Sequence, residues 1–294
     1  MTFPAQPPPL PGVVHTDVRV DRARWHVATA GDPDAPPIVL LHGWPQNWWI
    51  WRRVIPDLAR THRVYAPDLR GFGWSDAPAG RYSKMGLACD VERLADELGL
   101  DGFDLVGHDW GGMAAFLTAI RVPERVRRLA VFSMAHPWIT LDGSDPVAVL
   151  RSLYMLVLGT PVVGPFVAGQ PEVIRRALRR VSGPGFRWDP QDERLYAEAW
   201  SRPDHARATS ALYRTFLTRE LPGLARGRYA NRRLDMPALL ATGEFDPIVT
   251  PERIAGAEDD MSDLRTAVID GAGHFVADEK PTEVLRLIRT VTEA

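Results

Sequence analysis

The chain has 294 residues, 45% of them apolar and 24% charged, with 35 lysines and arginines against 37 acids and a net charge of −2. That even mixture excludes a nucleic-acid footprint and a polybasic membrane anchor, and a single cysteine, Cys89, excludes an intrachain disulfide and a thiolate metal cluster. There is no run of 18 apolar residues and no signal-peptide pattern at the N-terminus, so the expected setting is the cytoplasm, without membrane insertion.

Residues 1–12 are proline-rich and read as a flexible extended tail. Residues 13–20 and 24–30 alternate apolar and polar and predict an opening antiparallel pair, with Gly31–Asp34 as the turn that follows. Short buried strands are predicted at 38–41 and 63–67, then a helix over 84–98 that carries Cys89 as filler and stops at Gly99. A strand over 103–106, a glycine-flanked turn, a helix over 111–121 and a sixth strand at 129–132 follow. From 138 to 233 the pattern is helical only, punctuated by Gly and Pro, with arginine pairs such as Arg175-Arg176 and Arg179-Arg180 read as a solvated outer face. Strands return at 238–241 and 265–269, with a last helix over 282–291. The alternation predicts an α/β core (13–137 and 234–294) with a mostly parallel sheet flanked by helices. An all-helical cap (138–233), inserted after the sixth strand, lies over the carboxyl edge where such sheets bind ligands.

Gly107-His108-Asp109-Trp110-Gly111 is the frame of a nucleophile elbow, with aspartate at the nucleophile position. Glycines are needed because the turn is sharp and a Cβ on either flank would strike backbone. A carboxylate presented there attacks carbon and forms an ester, which shifts the chemistry from acyl transfer to displacement at an alkyl carbon. Asp246 and His274, 28 positions apart, both follow strand-like runs, so both loops leave the same sheet edge. Asp109 as nucleophile, Asp246 as orienting acid and His274 as general base form a consistent set, with Glu244 a competing acid and His108 structural. His42-Gly43-Trp44-Pro45 follows the third strand, where a loop supplies one amide of an oxyanion hole. Trp44 and Trp110 are the expected donors.

These motifs, with Trp48–Trp51 and Pro67–Ser75, make the chain resemble an epoxide hydrolase of the α/β-hydrolase superfamily from about residue 13 to 290. The resemblance implies two cap tyrosines that hold and protonate the epoxide oxygen, and by position these are Tyr154 and Tyr213. It implies an ether-bond hydrolase that turns a small apolar epoxide into a vicinal diol through an aspartyl ester, with no metal or organic cofactor, acting as a monomer or homodimer. Trp138, Trp48 and Pro45 are expected to wall the pocket. The alternative is a haloalkane dehalogenase using the same Asp109, with Trp110 and Trp138 as halide donors. A noncatalytic receptor on the same fold is a third reading, and it is disfavoured because no part of the site is broken.

Overall fold

The computed structural model describes residues 3–138 and 146–293, with backbone alone for 146–152. Eight strands form one sheet: β1 (Val13–Val20), β2 (Ala23–Ala30), β3 (Pro37–Leu41), β4 (Arg63–Pro67), β5 (Phe103–His108), β6 (Val126–Phe132), β7 (Ala238–Gly243) and β8 (Leu264–Ile269). Their order across the sheet is β1-β2-β4-β3-β5-β6-β7-β8. β2 runs antiparallel to both β1 and β4, and every other pairing is parallel. Position in the sheet explains the composition of the strands. β5 and β7 are covered on both faces and are buried throughout, whereas edge strand β1 alternates. The β1–β2 connection is the two-residue turn Asp21-Arg22, with Asp21 in the left-handed region at φ 53°.

In the core, α1 (Ile55–Leu58), α2 (Lys84–Glu97), α3 (Trp110–Arg121), α10 (Val276–Glu279) and α11 (Pro281–Thr292) flank the sheet. Ser83 caps α2 by accepting the Gly86 amide, and Gly99, at φ 69°, follows its end. Between β6 and β7 the regular elements among the described residues are helical: α4 (Pro146–Gly159), α5 (Val163–Ala168), α6 (Pro171–Val181), α7 (Pro190–Ala199) and α8 (Pro203–Thr215), then a π-helical turn, Phe216–Glu220, and α9 (Leu221–Ala225). α6, α7 and α8 each open on proline, which suits the first helical turn because its amide has no partner there. Residues 139–145 of the expected insertion and Met1 and Thr2 of the tail lie outside the described residues. Among those described, no helix is long and apolar enough to cross a membrane.

The inserted helices are tied to the core by buried polar contacts. The Trp200 indole N–H donates to the Pro45 carbonyl at 2.7 Å. Arg52 is clamped between Asp192 of α7 and Asp278 of α10, and the Trp49 indole reaches Asp192 at 2.7 Å. The tail is not loose from Phe3 onward. Phe3 packs on Trp74 with ring centroids 4.6 Å apart, and the Pro4 carbonyl accepts the Trp74 indole N–H at 3.0 Å. An aromatic anchor at position 3 pins the start of the proline-rich segment to the core.

Candidate active site

β5 ends at His108, and Asp109 turns the chain into α3 at φ 50°, ψ −126°, a conformation uncommon for a residue with a side chain. The elbow closes only because its glycines lack side chains. A Cβ on Gly107 would stand 2.6 Å from the Gly111 carbonyl oxygen, and one on Gly111 would stand 2.2 Å from that of His42. The carboxylate does not cap the helix behind it. Instead Asp109 Oδ1 accepts the Trp44 amide at 2.8 Å. The Trp44–Pro45 peptide is cis. Gly43 admits this approach, since a Cβ there would lie 2.3 Å from Asp109 Oδ1.

The other carboxylate oxygen, Oδ2, lies 3.5 Å from His274 Nε2, and His274 Nδ1 is 2.8 Å from Asp246 Oδ2. Asp246 is fixed in turn by the Ile248 and Val249 amides on Oδ1, at 2.8 and 3.0 Å, and by the Thr242 hydroxyl on Oδ2 at 3.2 Å. The structure therefore brings Asp109, His274 and Asp246 into one buried row. Glu244 is exposed and accepts the Gly271 amide at 2.9 Å, away from the imidazole. His108 is held by the His274 carbonyl at 2.8 Å, and burial, with His274 beside it, lowers it to about 4, so it is neutral. For His274, burial opposes the cation, but Asp246 and then Asp109 outweigh it and raise it to about 10. Asp246 sits below its ordinary value, since the His274 charge and bond and the two turn amides outweigh burial.

A cavity of about 610 Å³ opens on this row. Trp44, Pro45, Asp109, His274, Tyr154 and Tyr213 all line it. The two tyrosine rings meet edge-on at 5.8 Å, with both hydroxyls in the same buried corner of the cavity. Burial, and next the neighbouring Asp109 or tyrosine, raises both phenols, so they stay protonated donors. Much of the remaining wall is apolar, with Val157, Leu158, Ile248 and Phe275 among its residues.

Two expected wall residues lie elsewhere. Trp48 is fully buried on the opposite side of the sheet, edge-on to His15 at 4.9 Å. Trp138 stacks on His136 and donates its indole N–H to the Arg232 carbonyl at 2.9 Å, which also removes it as a halide donor. Aromatic residues near a site in sequence carry no information on which face they take. Trp110 is buried, its indole nitrogen without an acceptor, and its ring faces Tyr213 at 5.8 Å. Arg180, read from sequence as part of a solvated face, lines the cavity.

Glu279 escaped the sequence reading. Its carboxylate gathers the Gly183, Gly273 and Phe275 amides at 2.7–2.9 Å, clamping the His274 loop to the segment after α6. Asp68 is also fully buried, accepting from His26 and the Trp48 and Trp74 amides. Only Asp68's place inside Pro67–Ser75 pointed to it.

The chain belongs to the α/β-hydrolase family of enzymes, matching the alpha/beta hydrolase fold over residues 36–281. It is 32% identical over 291 residues to the soluble epoxide hydrolase of Corynebacterium sp. (strain C12), an alignment covering 93% of this chain and 95% of that protein. Its structure is similar to that of epoxide hydrolase CorEH without ligand, with a TM-score of 0.84 and 30% identity over 96% of this chain and 99% of the other. It is also 28% identical over 274 residues to the fluoroacetate dehalogenase of Burkholderia sp., with 86% of each chain covered.

Proposed function

We propose that the protein is an epoxide hydrolase that opens an apolar epoxide to a vicinal diol through an ester on Asp109. The observation that carries the reading is one cavity walled by the Asp109 carboxylate, His274 and a pair of adjoining tyrosines. A single oxygen atom placed between the two phenol donors accepts from both. Residues 138–233 then act as a cap that brings Tyr154 and Tyr213 over the sheet edge.

Asp109 Oδ2 attacks a ring carbon, the C–O bond breaks, and one tyrosine gives its proton to the alkoxide. The tyrosinate recovers a proton from the His274 imidazolium. Esterification removes the Asp109 charge, one of the causes that raise His274, so the imidazole becomes a usable base at the stage that needs one. Neutral His274, held by Asp246, takes a proton from water. The hydroxide adds to the ester carbonyl, whose oxygen rests on the Trp44 amide and that of Trp110. Collapse expels the second alkoxide, which takes the His274 proton and leaves as diol. The new Asp109 carboxyl returns a proton to His274, and the starting state is restored.

In a single turnover in oxygen-18 water, the expected diol carries unlabelled oxygen from Asp109. Solvent label in that first diol overturns the ester route. A dehalogenase reading is favoured by one observation: the Trp110 and Trp44 indole nitrogens are both buried without acceptors and would suit a departing halide. Paired assays of diol from styrene oxide and halide from 1-bromobutane decide between the two, and we expect diol with negligible halide.

A further inference from the structure

Of the 35 lysines and arginines only two, Lys84 and Lys280, are lysines, and Lys84 is 1% exposed. It opens α2 and takes no part in the steps above. Its backbone N–H donates to Glu220 Oε1 at 2.7 Å. Its Nζ lies 3.3 Å from Glu220 Oε2 and donates to the Leu212 carbonyl at 3.0 Å. The same ammonium stands 4.0 Å from the Trp110 ring centroid and 4.7 Å from that of Phe216.

One nitrogen therefore joins α2, α3, α8 and the π-helical turn. Trp110 follows Asp109 in sequence, Leu212 precedes Tyr213, and the Tyr213 ring faces Trp110. Just beyond Tyr213 the helix leaves its regular ladder: the Phe216 amide reaches both the Leu212 and Tyr213 carbonyls, and the Leu221 amide reaches Phe216. Such π-turns concentrate at functional sites. Burying an ammonium is expensive, and an apolar chain of equal length would fill the same space, so a retained charge points to geometry and not to bulk stability.

We propose that Lys84 is a positioning residue that acts on the reaction through Trp110 and Tyr213, fixing the π-helical turn behind Tyr213 and keeping a positive charge behind Asp109. The inference rests on the epoxide hydrolase reading. The charged and titratable groups around the ammonium are Glu220, Asp109 beyond Trp110, and Arg228 and Tyr229, which share a small void with it. Burial lowers Lys84 to about 8, against the opposing pull of Glu220 and Asp109.

The test is a double-mutant cycle of Lys84→Met and Tyr213→Phe, read as the single-turnover rate of Asp109 ester formation with styrene oxide. Lys84→Met alone should slow this step about tenfold or more, and in the Tyr213→Phe background it should add almost nothing. Lys84→Arg should recover part of the loss. Equal losses in both backgrounds, or no loss in either, overturn the proposal, because a residue that only fills the core acts independently of Tyr213. A second measurement needs no substrate: titration of lysine labelled with carbon-13 at Cε, where two signals are expected and Lys280 is the control. Asp109→Asn should lower the Lys84 midpoint from about 8 and leave Lys280 unmoved. An unmoved Lys84 midpoint overturns the proposal. If the wild-type chain opens no epoxide, the proposed function fails on that control, and the titration alone decides the role of Lys84.

Discussion

His274 has a carboxylate on each ring nitrogen, 2.8 Å away at Nδ1 and 3.5 Å at Nε2, and its charge state follows from that arrangement. Its folded value of about 10 lies above its ordinary 6.5, so its contribution to stability is fully present below about pH 6.5 and is lost as pH rises towards 10. Thermal melts across that window should show falling stability, and Asp109→Asn should flatten the fall by removing one of the two acids. A slope unchanged by that substitution would disprove the coupling. Asp246→Asn keeps the shape and removes the charge, so it should slow ester hydrolysis by about a thousandfold or more while slowing ester formation less. Rapid-quench mass spectrometry reads this as accumulated alkyl-enzyme. At this scale the sequence was informative where glycines and strand ends framed a residue, as around Asp109 and His274. It preferred Asp246 to Glu244 without showing what turns Asp246 inward, which is the pair of Ile248 and Val249 amides. Lys84 and Glu279 were hidden for another reason. The hydrogen-bond partners of Lys84 lie more than 120 positions along the chain and one partner of Glu279 lies 96 away, and no local pattern records such pairs.

The elbow and the Gly43-Trp44-Pro45 loop are two elements that function as one. The Trp44 amide reaches Asp109 only because position 43 has no side chain. Gly43→Ala should therefore slow ester formation by about a hundredfold or more, the scale of losing one preorganised donor at a reacting group. Mass spectrometry after incubation with an epoxide checks this, and full adduct formation by the variant would contradict it. The strands and the three long core helices, α2, α3 and α11, were legible because burial imposes continuous apolar runs on parallel strands and 3.6-residue spacing on helices such as α2. Two local features were not. The β1–β2 turn uses Asp21-Arg22, which lacks the usual glycine, with Asp21 itself taking the left-handed conformation. The π-helical turn after α8 has no propensity signature, since it is set by what Lys84 and Glu220 hold in place.

Across the whole molecule, the N-terminal segment and the inserted helices are fastened by aromatic side chains. Phe3→Ala should lower the melting temperature by about 2–4 °C through loss of the Trp74 contact. A variant that melts with the wild type would restore the loose-tail reading. The existence of the insertion and its helical character were visible in the sequence as a long stretch without strands. Its fastening was not, because Trp200, Asp192 and Arg52 look like ordinary surface-helix residues until the fold pairs them. That fastening reaches the cavity. The Trp200 indole grips the carbonyl of Pro45, the residue next to the one whose amide steadies Asp109. Any movement of the segment that carries Trp200 would therefore be felt at the Asp109 carboxylate. Val157 and Val173, by contrast, are at once cavity wall and exposed surface.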